Sequence, residues 1–373
     1  MQKITTFILS VIASLSAVAQ TGSFMYDGVL RDYIVHVPAV YNASVPVPLV
    51  INLHGYTSNA SEQQLYTQFD AIADTANFIV VYPNGVSNTW NSGWNVPYNS
   101  GTDDVGFLSA LIDTMISKYY INLSRIHATG MSNGGFMSFR LACELENRIA
   151  SIASVTGLMT TPQTQHCTPS RKVPVMFIHG TADATVPYAG STYMISADST
   201  QNYWRAKNGC TASPVQYNFP DINTSDQSTA VRYLSNVCAD SSEVEFIKII
   251  NGGHTWPGVY SLPNLVTNQD IKASVEIWKF FCRHPMPSAP MSVKETNKTK
   301  PAIYPNPADD ELLINLSKSF DYTLINILGE TISIKESNQN QAVIATRNLA
   351  DGIYFLTVKS EGKNYVEKVV VRH

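Results

Sequence analysis

Up to Phe281, apolar residues gather into two kinds of run. Short, nearly continuous ones, DYIVHV (32–37), PLVINL (48–53), FIVVY (78–82), RIHATG (125–130), IASV (152–155), VMFIHG (175–180) and VEFIKII (244–250), have the length and branched content of strands. VMFIHG is so apolar that it reads as a central parallel strand, buried on both faces. Longer runs with apolar residues three and four apart, DVGFLSALIDTMISKYY (104–120) and GGFMSFRLACEL (134–145), read as helices. Strands alternating with helices predict an α/β domain whose mainly parallel central sheet is covered on both faces.

The pattern changes after Phe281. HPMPSAPMSVKETNKTKPAIYPNPADD is rich in proline, lysine, serine and threonine and has no hydrophobic period, so it reads as a linker entering a new unit. Beyond it, LLINL, YTLINILG, TISI, AVIAT, GIYFLTV and VEKVVVR are short strand-like runs separated by turn residues, which predict a small, sandwich-like all-β domain. At the other end, Lys3 precedes an apolar run closing in Ala17-Val18-Ala19, the layout of a secretory signal peptide cleaved after Ala19. Ser10, Ser14 and Ser16 break that run, which makes a membrane anchor the weaker reading. The expected organisation is a signal peptide over 1–19, an α/β domain over 23–284, a linker over 285–300 and a β domain over 301–373. The mature chain is expected outside the cell, with no membrane span.

Composition narrows the chemistry. A net charge of -4 over 373 residues and 44% hydrophobic content exclude nucleic acid as an expected partner and leave length for more than one domain. Export permits disulfides among Cys143, Cys167, Cys210, Cys238 and Cys282, and the odd count leaves at least one thiol unpaired. Cys143 with Cys167 and Cys210 with Cys238 would each close a modest loop, although spacing alone leaves other pairings open. No histidine and cysteine cluster has metal-ligand spacing and there is no phosphate loop, so neither a metal nor a cofactor is expected.

One stretch raises a specific question. In RIHATGMSNGGF (125–136) a lone serine, Ser132, sits where a strand gives way to a helix, flanked as G-x-S-x-G by Gly130 and Gly134. Such an elbow turns the backbone sharply and lifts the hydroxyl above the sheet, whereas the bland alternative is an ordinary glycine-rich turn. A serine hydroxyl becomes a nucleophile only when a histidine removes its proton and a carboxylate steadies that histidine. The chain order serine, acid, histidine selects Asp183, which follows VMFIHG, and His254, which follows VEFIKII and the flexible Asn251-Gly252-Gly253. His179 reads as a buried strand-end histidine, and His166 and His284 as loop residues without a supporting pattern. An early strand ending in His54-Gly55-Tyr56 supplies one backbone donor for an oxyanion, Tyr56, and the residue after the serine, Asn133, supplies the other. His54 itself reads as structural.

LHGY, GWN with DDVGFLSALID, GMSNGG, HGTADATVPY and GGHTWPG follow one another in an order that resembles the secreted polyhydroxybutyrate depolymerase and feruloyl esterase group of carbohydrate esterase family 1, from about Gly28 to Cys282. The resemblance implies an α/β-hydrolase fold, Ser132, Asp183 and His254 as a triad, and a Cys210–Cys238 disulfide. Asp103 and Asp104 fall in a motif of that group but read as helix N-terminal and loop-fixing carboxylates. YPNPADDELLINL, LGE, LADGIYFLTV and KVVVR resemble the C-terminal sorting domain of type IX secretion substrates over 301–373, which implies that machinery as a partner. The expected function is a secreted serine esterase acting on feruloyl or acetyl esters of plant cell-wall polysaccharide such as xylan. A polyhydroxybutyrate (polyester) depolymerase is the alternative, and a non-catalytic carbohydrate-binding protein a remote one. Trp90, Trp94, Tyr98, Tyr188 and Trp256 lie in loops near the motifs and are the candidates for an aromatic substrate cleft.

Overall fold

In the first of two units, Leu49, Ile51 and Leu53 face one side of a sheet and Val50 the other, all inaccessible to solvent, which is why PLVINL carries no polar alternation. The computed structural model describes residues 18–93, 96–287, 301–337 and 339–373. Most of the expected signal peptide and most of the linker therefore lie outside the described residues. The chain divides into units 1–288 and 289–373.

The strands of unit 1 are β1 (Val18–Tyr26), β2 (Val29–Val37), β3 (Val47–Leu53), β4 (Ile79–Pro83), β5 (Ile121–Met131), β6 (Ser151–Val155), β7 (Val175–Gly180), β8 (Val215–Asn218), β9 (Thr229–Ser235) and β10 (Val244–Ile250). They form one sheet in the order β1-β2-β4-β3-β5-β6-β7-β10-β9-β8. From β4 to β10 every neighbouring pair is parallel, and the antiparallel pairs β1–β2, β2–β4, β9–β10 and β8–β9 lie outside that block. The mainly parallel sheet expected from the sequence is thus present, with antiparallel flanks that the pattern did not announce.

The helices are α1 (Ala60–Thr67), α2 (Phe69–Ala76), α3 (Asp104–Lys118), α4 (Asn133–Glu144), α5 (Thr161–His166), α6 (Ala197–Lys207) and α7 (Ala273–Arg283). Apolar residues of α3 and α4, such as Leu108, Leu111, Phe136 and Phe139, pack with Leu49, Ile51 and Leu53 in one core. Phe69 and Ala73 of α2 and Ile277, Phe280 and Phe281 of α7 pack with Val50, Val80 and Met176 in a second. Alternate residues of the same strands feed different cores, so the sheet is covered on both faces. Asp103 caps α3 by accepting from Gly106 N at 3.0 Å, and buried Asp104 pairs with Arg31 at 2.7 Å and holds Asn91 N at 2.7 Å, the capping and loop-fixing roles expected of them. Disulfides join Cys143 to Cys167 and Cys210 to Cys238, and Cys282 is a free thiol.

Unit 2 holds β11 (Ala302–Tyr304), β12 (Glu311–Asn315), β13 (Phe320–Asn326), β14 (Thr331–Ser337), β15 (Gln341–Ala345), β16 (Gly352–Ser360) and β17 (Lys363–Val371). Two antiparallel sheets, β11-β12-β15 and β14-β13-β16-β17, share a core of Leu312, Ile314, Leu324, Ile344, Leu356 and Val369. Phe320, Tyr322 and Tyr354 belong to that core. Tyr304 and Phe355 do not, being 49% and 38% exposed.

Candidate active site

β5 passes into α4 through Ser132, whose φ of 54° and ψ of -116° are a conformation that a residue with a side chain rarely adopts. Its N–H donates to Val155 O of β6 at 2.8 Å and its carbonyl accepts from Phe136 N, which holds the bend from both sides. The flanking glycines are dictated by closeness. A Cβ on Gly134 would lie 2.2 Å from Leu53 O and 2.6 Å from His54 O, so α4 can start against the end of β3 only without a side chain there.

The acid and the histidine reach the same end of the sheet on the loops after β7 and β10. These loops touch: Ala182 N donates to Gly252 O at 2.9 Å, and a Cβ on Gly180 would fall 2.2 Å from that same carbonyl. His254 Nδ1 lies 2.8 Å from Asp183 Oδ2. Asp183 is buried, and its Oδ1 accepts from Thr185 N at 2.9 Å and Val186 N at 2.8 Å, which fixes the carboxylate plane. His254 keeps 14% of its side chain accessible. His179 is sealed at the end of β7, where burial lowers its pKa to about 4 and its Nε2 lies 2.8 Å from Val186 O. It is the structural histidine the sequence suggested.

The loop after β3 brings the third component. His54 is buried. Its Nε2 accepts from Gly85 N at 2.9 Å and its Nδ1 donates to Gly55 O at 2.7 Å, an arrangement that suits the neutral ring, and burial lowers its pKa. Tyr56 N and Asn133 N, the expected oxyanion donors, have no hydrogen-bond acceptor among the described residues. The Asn133 side chain accepts from Trp90 N at 2.7 Å, and Trp90 Nε1 donates to His54 O at 2.9 Å, so one buried tryptophan ties the two donor loops together.

That observation corrects the expected aromatic cleft. Trp90 is fully buried beneath His54 and cannot touch substrate. Trp256 is fully buried too, donating from Nε1 to Ser274 Oγ at 2.9 Å and packing on Phe69. Tyr188 is half-buried, with its hydroxyl on Asp198 at 2.5 Å and its ring against Phe246 and Lys248, away from the cavity. Tyr98 backs the Tyr56 ring at 5.4 Å, and Trp94 lies outside the described residues. None of the four placed residues lines the cavity, for one reason: an aromatic beside a motif is as useful for packing the motif's loop as for meeting a ligand.

Ser132 and His254 instead line a cavity of about 350 Å³ whose other walls are Gly55, Tyr56, Ser58, Glu62, Gln63, Leu65, Tyr66, Met131, Tyr260 and Leu262. Its aromatic residues, Tyr56, Tyr66 and Tyr260, come from the loop after β3, from α1 and from the loop after His254. Tyr66 meets Tyr260 edge-on at 5.4 Å, and its hydroxyl accepts from Trp256 N at 3.1 Å, which anchors the histidine loop on α1. Sequence reasoning missed Tyr66, Tyr260 and Glu62, because neither α1 nor the loop after His254 carries a pattern that marks it as a cavity wall.

Residues 302–372 match the family described as secretion system C-terminal sorting domain, and residues 101–212 match the phospholipase/carboxylesterase family. A bifunctional acetylxylan esterase/xylanase of Neocallimastix patriciarum is 27% identical over 252 residues, 68% of this chain and 34% of that protein. Feruloyl esterase B of Piromyces equi is 30% identical over 237 residues, 60% of this chain and 42% of that protein. The chain thus spans less than half the length of either relative. The solved acetyl xylan esterase from Aspergillus awamori shares the fold, with a TM-score of 0.50 at 13% identity over 71% of this chain and 99% of that one.

Proposed function

We propose, from the premise that this chain is an α/β-hydrolase of the carboxylesterase kind carrying a secretion-system sorting domain, that it is a secreted serine esterase acting on feruloyl or acetyl esters of plant cell-wall polysaccharide. The observation that carries the reading is the His254 Nδ1–Asp183 Oδ2 contact of 2.8 Å on a loop whose histidine shares a cavity with the strained Ser132. Asp183, held by two backbone N–H groups, fixes the tautomer that leaves His254 Nε2 able to take a proton. Ser132 Oγ then bonds to the ester carbonyl carbon as His254 removes its proton, and the oxyanion forms between Tyr56 N and Asn133 N. His254 hands the proton to the leaving alcohol as the C–O bond breaks. A water molecule, deprotonated by the same imidazole, releases the acid and restores the serine.

The substrate class rests on the relatives' names together with the tyrosine-lined cavity, and the type IX machinery as export partner rests on the sorting domain. Purified mature chain should hydrolyse methyl ferulate and release acetate from acetylated xylan faster than it cleaves a hydroxybutyrate trimer. A clear preference for the trimer would favour the polyester alternative. Ser132→Ala and His254→Ala should each remove nearly all turnover, with the double variant little worse, because groups that act as a unit are non-additive. Losses that multiply would mean that one of the two acts through folding alone.

A further inference from the structure

Among the described residues that line the cavity beside Ser132, one is acidic, Glu62, and no chemical step uses it. It belongs to the first turn of α1, where a carboxylate suits the helix dipole, and its N–H donates to the cap residue Asn59 at 3.0 Å. Those facts explain a glutamate at this point of the helix but not why its side chain borders the cavity. Ser58, also a cavity residue, donates from Oγ to Glu62 Oε2 at 2.7 Å, which leaves Oε1 without a hydrogen-bond partner among the described residues. No lysine, arginine or histidine among them forms an ion pair with Glu62. One helical turn on, Tyr66 meets Tyr260 edge-on, so the wall is acidic at one end and aromatic at the other.

An ionised carboxylate accepts hydrogen bonds and donates none, and it repels a second anion. We propose that Glu62 is a specificity-determining residue of this site, selecting uncharged esters that carry a hydroxyl donor beside the apolar part that meets Tyr66 and Tyr260. The inference rests on the esterase reading above. The donor has two possible sources, a phenolic hydroxyl on the acyl side or an alcohol hydroxyl on the leaving side, and the chemistry at Glu62 is the same for both. Sites built to bond a hydroxyl discriminate against the analogue that lacks it, but Glu62 is exposed, so the effect is on the order of tenfold, below that of a sealed pocket.

The test uses two matched pairs of esters on the full mature chain: methyl p-coumarate with methyl cinnamate, and 2-hydroxyethyl acetate with propyl acetate. Wild type should favour the hydroxylated member of one pair about tenfold in kcat/KM, and the pair that responds identifies the side of the ester. Glu62→Ala should bring that ratio to within about twofold of one, while Glu62→Gln, which keeps an acceptor oxygen, should retain part of it. Active sites are counted with a fluorophosphonate, so the ratio does not depend on how much of a variant folds. No preference in either wild-type pair, or a preference that Glu62→Ala leaves intact, would overturn the inference while the esterase reading stood. Failure of wild type to cleave any of the four esters or to react with the fluorophosphonate would remove the esterase reading and this inference together.

Discussion

At Ser132 the backbone is held at positive φ because everything around it has been cleared to let it bend, and that clearance has a measurable consequence at Gly134, the second residue of α4. A methyl group on Gly134 would collide with two carbonyl oxygens of the β3 end, at 2.2 Å and 2.6 Å, and backbone atoms cannot step aside as a flexible side chain would. Gly134→Ala should therefore cost about 1–3 kcal/mol or more of stability, read as a lower urea midpoint, and should reduce fluorophosphonate labelling of the folded fraction because the elbow is displaced. An unchanged midpoint and full labelling would show that α4 starts with more room than this geometry allows. Trp256 makes the complementary case of a residue near the chemistry that serves packing. Fully buried against Phe69 and bonded to Ser274, it should cost about 3–5 kcal/mol when cut to alanine, with aromatic and acetyl esters suffering alike. A selective loss on aromatic esters at normal stability would return it to the cavity wall.

The elements that could be read from the sequence are those whose burial writes a pattern. β3, β4, β6 and β7 are buried at every position, so each stands out as an apolar run, and Ser132, Asp183 and His254 follow β5, β7 and β10 within four residues of their ends. α1 escaped notice because it buries only Ala60, Gln63 and Thr67, and two of these are polar groups satisfied by Asn52 at 2.8 Å and 3.0 Å. β8 escaped because all four of its residues are exposed. The cavity wall was illegible for the same reason: α1 and the loop of Tyr260 become neighbours only through the tertiary fold. One element predicts a pH response. His179, at the end of β7, has its pKa lowered to about 4 by burial, opposed by the pull of Asp183, while the unfolded chain's histidine titrates near 6.5. Between those values the unfolded state binds more protons, so stability is full above about pH 6.5 and falls as pH drops toward 4. Buried His127 and His54, also lowered by burial, act in the same direction. Urea midpoints should decline across that window, and His179→Gln should flatten the decline by up to about 1.4 kcal/mol per pH unit. An identical slope in the variant would mean that His179 is protonated in the folded state.

Each described residue lining the cavity, from Gly55 to Leu262, belongs to unit 1, and unit 2 closes its own core over seven strands among the described residues. Two units with separate cores can divide the work, one for chemistry and one as the export signal of a secretion-system sorting domain. A signal peptide cut after Ala19 would spare this arrangement, since seven residues of β1, Gln20–Tyr26, keep their antiparallel register with Tyr33, Ile34 and Val35 of β2 and their neighbours. A chain ending at Pro287 keeps both cores of unit 1, both disulfides and the whole cavity wall. Once purified, it should match the full chain in kcat/KM on a simple acetyl ester to within about twofold, because every residue that lines the cavity is retained. In the producing cell the same truncation should abolish appearance of esterase at the cell surface or in the medium and leave the activity in the periplasm. Fractionated assays of full and truncated chains, with N-terminal sequencing to confirm the cut after Ala19, separate the two roles. A loss of turnover in the purified short chain would make unit 2 part of the catalyst, whereas undiminished surface activity would deny it the sorting role.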